Sequence, residues 1–153
     1  MNAAPLLKEV AEALAEVRLE AVMIGMAAAY LQGAPVVTHD VDFVIRPTKA
    51  NDQKLAKLAV RLGGVVSSPY EGASSMRRIK RAGMQLDFLV RVDPFKSFEG
   101  LRRRSTRVSI GPGLLVADLD DIIRSKKAAG RPKDRAVMPV LEATAREKAK
   151  RKT

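Results

Sequence analysis

The chain has no cysteine, no tryptophan and a single histidine. Without thiols there is no disulfide framework and no thiolate ligation of a metal, and neither redox compartment is favoured. Aromatic residues make up only 4% of the sequence. Platforms for base stacking are therefore scarce, which argues against a dedicated single-strand binder. No apolar run approaches the length of a membrane span, so no membrane partner is expected. Met1 to Pro5 lack a basic start followed by an apolar core, so no secretory signal is predicted and the cytoplasm is the expected location.

What is present suits one domain over residues 1–153. Hydrophobic residues form 46% of the 153, enough for a sizeable core without staples. The net charge of +11 is unevenly spread. Residues 1–60 hold six Lys/Arg against seven Asp/Glu, residues 77–107 ten against three, and residues 124–153 eleven against three. The basic second half reads either as solvation with a frayed tail or as attraction to a polyanion such as a nucleoside triphosphate or RNA.

Periodicity predicts alternating helices and strands. Leu6, Leu7, Val10, Ala13, Leu14 and Val17 recur at helical spacing over 5–19. A short buried strand over 21–24 is followed, after Gly25, by a short helix over 26–31. A strand over 41–45 precedes a helix that Thr48 caps and that runs to Leu62, where Gly63-Gly64 stops it. Residues 76–80 and 85–90 read as a hairpin around Gly83. A short helix is expected over 94–104, a strand over 105–110 and an apolar run over 114–116. Asp118 reads as the cap of a helix over 119–129, with Asp121 completing a capping-box-like pair. A last helix starts near Pro132, and a ragged basic end is expected over 146–153. The fold class is α/β (α+β), a mixed sheet flanked by helices.

The candidate chemistry is acidic. Asp40 and Asp42 lie two apart, so on a strand both point to one face while Val41, Phe43 and Ile45 point to the other. Two like charges so placed repel, and a cation such as Mg²⁺, which prefers carboxylate oxygen, relieves the repulsion. Asp87 sits mid-strand among Leu86, Phe88 and Leu89, where a carboxylate needs a partner. If the two strands are neighbours, the three carboxylates converge. Asp87 can instead pair with Arg78 or Lys80 across the hairpin. His39 alternates with the acidic pair and reads as packing or surface. Thr38 reads as a residue that orients the Asp40 loop, and Asp134 as a brace for Lys126.

The stretch from Gly25 to Ile45, with Gly25, Thr38, Asp40 and Asp42, followed by Asp87, resembles the signature of the nucleotidyltransferase superfamily with the polymerase-beta-like fold. The segment Leu119 to Asp134 resembles the Leu-x-Asp-Leu-Ile-x-x-Lys … Gly-Arg-x-Lys-Asp element of small bacterial members, the AbiEii and minimal-nucleotidyltransferase toxin–antitoxin group. The likeness spans residues 20–141. The chain departs from the pattern at Met26, where relatives have Gly or Ser, at Val36, where many have Arg, and at Val137, where a further Asp is common.

The resemblance implies transfer of a nucleoside monophosphate from an NTP to a hydroxyl or phosphate acceptor. Asp40, Asp42 and Asp87 would be catalytic and would hold Mg²⁺ or Mn²⁺. Gly25, Met26, Thr38, Lys126, Arg131 and Lys133 would lie along the nucleotide. Implied partners are an NTP such as ATP, RNA such as tRNA, an antitoxin or helical partner protein, or a second copy in a homodimer. Two other readings stay open: a catalytically silent nucleotide or RNA binder, and an interaction module completed by a partner.

Overall fold

A computed structural model describes residues 4–68 and 76–151. The element order is α1 (Ala4–Val17), β1 (Val22–Ile24), α2 (Gly25–Leu31), β2 (Asp40–Val44), α3 (Lys49–Leu62), β3 (Val65–Ser67), β4 (Arg77–Arg81), β5 (Met84–Leu89), α4 (Phe98–Arg104), β6 (Thr106–Val108), β7 (Leu114–Val116), α5 (Leu119–Ala129) and α6 (Pro132–Arg151). The seven strands form one sheet in the order β3-β4-β5-β2-β1-β7-β6. The β2–β5 and β1–β7 pairs are parallel and the others antiparallel, so the sheet is mixed. Helices flank it, as the alternation of elements in the sequence predicts.

One face of the sheet is core. Val41 and Phe43 of β2 lie beside Leu86 and Phe88 of β5, all buried, and the Phe43 and Phe88 rings stack at 5.3 Å. Helices α1 and α3 pack against each other with Leu7, Val10, Leu14, Leu55, Leu58 and Leu62 turned inward. Burying side chains of this size contributes about 1.5–3 kcal/mol each before entropy is counted. The alternation along β2 and β5 therefore anchors both strands by their apolar side and turns Asp42 and Asp87 to the other.

Local chemistry places most boundaries. Thr48 caps α3 by accepting a bond from the Asn51 N–H at 3.1 Å. Helix α1 ends at Val17, earlier than the expected 19, because Arg18 turns left-handed (φ 57°) and the Leu19 N–H bonds back to the Leu14 carbonyl at 3.0 Å. Helix α4 starts at Phe98 rather than Pro94, because Val92 and Phe95 pair in a bridge and Ser97 supplies the cap to Gly100. Strand β6 covers only part of the expected 105–110, since the Ile110 N–H turns back to the Val108 carbonyl.

Two expectations need correction. The Asp118–Asp121 capping box does not form: the Asp118 side chain caps nothing, and Asp121, nearly fully buried, is held by Arg104 at 2.8 Å and Arg124 at 3.5 Å. The segment from Arg146 is not ragged as far as Arg151, because α6 continues through it with the Lys148 ammonium bonded to Gln32; residues 152–153 lie outside the described residues. Strand β3, an exposed edge pairing with β4, had no signal beyond two valines.

Candidate active site

The site grows from the register of β2 and β5. Asp42 and Asp87 are Cα partners on these adjacent parallel strands. Register partners share a face, so both carboxylates project from the side opposite Phe43 and Phe88. They open into a cleft of about 610 Å³. Cations line it too: Lys126 from α5, Arg131 from the turn after it, and Lys133 from α6.

Asp42 is half-buried, and its carboxyl is pushed up to about 6. Burial is the largest cause, followed by the negative charge of Asp87; Lys126 and Lys133 pull the other way. Gly25, at the junction of β1 and α2, makes room for it. Its φ is +72°, and a β-carbon there would stand 2.9 Å from Asp42 Oδ2. The positive φ favours glycine here, and a side chain at this point would have to push the Asp42 carboxylate aside.

Asp87 is engaged. The Arg78 guanidinium, its register partner on β4, donates from Nε to Oδ1 at 2.7 Å and from Nη2 to Oδ2 at 3.2 Å. Both alternatives read from the sequence for Asp87 thus hold at once: it neighbours Asp42 and it pairs with Arg78. Asp40, Asp42 and Asp87 all line this cleft, and Asp40 adds to the negative charge around Asp42. Among the described residues no three carboxylate or imidazole side chains are grouped closely enough to hold a metal ion. Asp40 sits on the exposed rim of the cleft at the first residue of β2, and Arg78 covers Asp87.

The remaining sequence candidates divide. Thr38 does not line the cleft; its hydroxyl donates to the Asp40 carbonyl at 3.0 Å and accepts from the Asp40 N–H at 3.1 Å, a local turn that sets where β2 begins. Met26 and Val36 are partly buried against the core rather than lining the cleft. His39 lies in a separate shallow depression with Lys80, Arg81 and Met84. Lys126 is largely covered and pairs with Asp134 at 3.3 Å. Asp134, almost inaccessible, also accepts from the Arg131 N–H at 3.2 Å and from its guanidinium at 2.7 Å. Its carboxyl falls to about 2, chiefly through the Arg131 bond and then Lys126. Asp134 therefore orients two cations toward the cleft.

Gln85 and Arg91, absent from the sequence candidates, line the cleft with Asp87. The signal was available: 85, 87, 89 and 91 alternate on one face. Phe95 and Ser125 also line it. The Arg104 and Arg124 guanidinia, both tied to Asp121, lie 5.3 and 5.4 Å from the centre of the Phe95 ring. No local pattern foretells that cluster.

The carboxylates fit a divalent cation in donor type. They are hard oxygen ligands, and they are short of positive charge: burial and mutual repulsion hold Asp42 up, and Asp87 already draws in a guanidinium as a stand-in cation.

No model of a known protein family matches the chain, and no curated protein matches its sequence. Solved structures do match its fold. The solution structure of the antibiotic-resistance factor ANT(2'')-Ia superposes with a TM-score of 0.66 at 14% identity, covering 96% of this chain and 86% of that one. A Thermotoga maritima protein provisionally assigned as a nucleotidyltransferase gives 0.62 at 15% identity, covering 88% and 89%. The crystal structure of ANT(2'')-Ia in complex with adenylyl-2''-tobramycin gives 0.62 at 14% identity, covering 98% of each chain. The chain therefore has the nucleotidyltransferase fold, a mixed α/β arrangement with a central sheet flanked by helices. Among the described residues no helix is long and apolar enough to cross a membrane.

Proposed function

We propose that the protein is a metal-dependent nucleotidyltransferase. It would move a nucleoside monophosphate from an NTP to an RNA, protein or small-molecule acceptor. The observation that carries this reading is the in-register pair Asp42 and Asp87 sharing one cleft with Lys126, Arg131 and Lys133. The fold agrees with it, as does the adenylylated product held by one of the similar structures.

Asp42 and Asp87 would hold Mg²⁺ or Mn²⁺, with Asp40 contributing from the rim. When bound, the cation supplies charge neutralisation for the triphosphate. Lys126, Arg131 and Lys133 bind phosphate oxygens in the same cleft, and the Asp134 carboxylate holds the first two in place. Gly25 admits the Asp42 carboxylate where any side chain would displace it. In the reaction an acceptor oxygen bonds to the α-phosphorus, the α–β bridging P–O bond breaks, pyrophosphate leaves, and the acceptor proton passes to a cleft carboxylate and on to water.

The toxin–antitoxin placement rests on the motif running from Leu119 to Asp134. RNA as acceptor rests on the basic second half, and an antitoxin, a helical partner or a second copy are the candidate protein partners. The test is label transfer from each α-labelled NTP to total RNA, total protein and small-molecule acceptors, with Asp42→Asn as control. Product that disappears with Asp42→Asn supports the reading, and label in no acceptor pool refutes it.

One observation favours a second reading, a silent nucleotide or RNA binder: Arg78 occupies both oxygens of Asp87. Nucleotide binding that persists without metal and in Asp42→Asn would select it.

A further inference from the structure

The cleft carries one ion pair that the chemistry above does not use. Arg78 and Asp87 face each other across β4 and β5, joined by two bonds at 2.7 and 3.2 Å. Their side chains are only 22% and 10% exposed. A planar guanidinium matched to a carboxylate at two points is a strong, directional pair, and shielding from water weakens its screening by salt. The Gln85 amide stands within 3.4 Å of the pair. On the other side of Asp87 lies Asp42, half-buried and unfavourably close to a like charge.

A divalent cation shared by Asp42 and Asp87 competes with the Arg78 guanidinium for the two Asp87 oxygens that it already engages, because two cations held this close repel each other. We infer that Arg78 is a built-in counter-ion at Asp87, and that a divalent cation binds this site only by displacing it. The inference rests on the nucleotidyl-transfer reading. Arg78 lines the same cleft, so the displaced guanidinium stays within it. The anion that then meets it is the triphosphate. Metal and nucleotide therefore bind with positive coupling, each favouring the state in which Arg78 has left Asp87. The pair also lets two neighbouring carboxylates coexist while no metal is present.

The test measures Mn²⁺ binding, by the electron paramagnetic resonance signal of free Mn²⁺, to the full chain and to Arg78→Gln and Arg78→Lys. The measurement is made with and without a non-hydrolysable NTP, and circular dichroism checks each fold. Arg78→Gln should bind Mn²⁺ alone about tenfold more tightly or better than wild type, since a cation is gained without a charged competitor. Arg78→Lys, which keeps the charge but not the two-point match, should fall between. The nucleotide should strengthen Mn²⁺ binding more in wild type than in Arg78→Gln. Adding Asp42→Asn should remove the tight site.

Equal Mn²⁺ affinity in all three proteins, or weaker affinity in Arg78→Gln, overturns the counter-ion role and leaves the nucleotidyl-transfer reading standing. Tight binding that survives Asp42→Asn overturns the role as well. No Mn²⁺ binding by any of them, even with nucleotide, sinks that reading and this inference together. If Arg78→Gln does not fold, Arg78→Lys alone decides between the outcomes.

Discussion

The Asp42 carboxylate occupies the space beside Gly25 that a β-carbon would need, with Oδ2 only 2.9 Å from that position. Gly25 also has φ +72°, where an L side chain costs about 1–2 kcal/mol. Gly25→Ala should therefore lower stability by roughly that amount and push the carboxylate aside. Nucleotidyl transfer and Mn²⁺ binding should fall much further than stability does. Urea unfolding and label transfer on the same preparation check this, and a variant with unchanged transfer would detach Gly25 from the site.

Asp42 is costly to keep charged. Its carboxyl moves from the ordinary 3.8 up to about 6, so the folded state holds the proton more tightly than the unfolded chain. The stability from that proton is full below about pH 4 and is lost as pH rises through about 6. In the absence of metal, Asp42→Asn should be more stable than wild type by roughly 2 kcal/mol at pH 7.5. The advantage should vanish near pH 4. Denaturant melts at several pH values measure the difference, and a constant gap across that window would contradict the prediction.

Asp134 has the opposite sign. Its carboxyl falls from 3.8 to about 2, so its contribution is present above the ordinary value and is lost as pH falls through about 2. Asp134→Asn should cost about 2 kcal/mol at neutral pH, with the deficit shrinking as the pH falls from 4 toward 2. The comparison is again between melts of wild type and variant. A deficit that persists undiminished at pH 2 would assign the loss to packing rather than to charge.

Lys126 has two roles to separate, since it pairs with Asp134 and lines the cleft. Arg131 still holds Asp134 when Lys126 is removed, so Lys126→Met should cost less than about 1 kcal/mol of stability. It should raise KM for the NTP about tenfold, the effect of losing one bond to a charged phosphate. Steady-state transfer at varied NTP distinguishes the two. An unchanged KM would leave Lys126 as a brace for Asp134 alone.

Local pattern along the chain sets which side of each strand is apolar and where most helices start and stop. Alternation alone sets Asp42 against Phe43 and Asp87 against Phe88, and Thr48, Gly63 and Gly130 mark helix ends by chemistry confined to a few neighbouring residues. Such signals are legible because they act over one or two turns of chain. The tertiary structure alone decided that β2 and β5 are adjacent, parallel and in register, which brings Asp42 beside Asp87. It also decided which partner each buried charge takes: Arg78 for Asp87, Arg104 in place of a cap for Asp121, and core packing for Met26 where the motif suggested a place along the nucleotide. Those outcomes depend on how distant segments share one buried volume, because a charge removed from water must take whichever opposite charge the packed fold puts within reach.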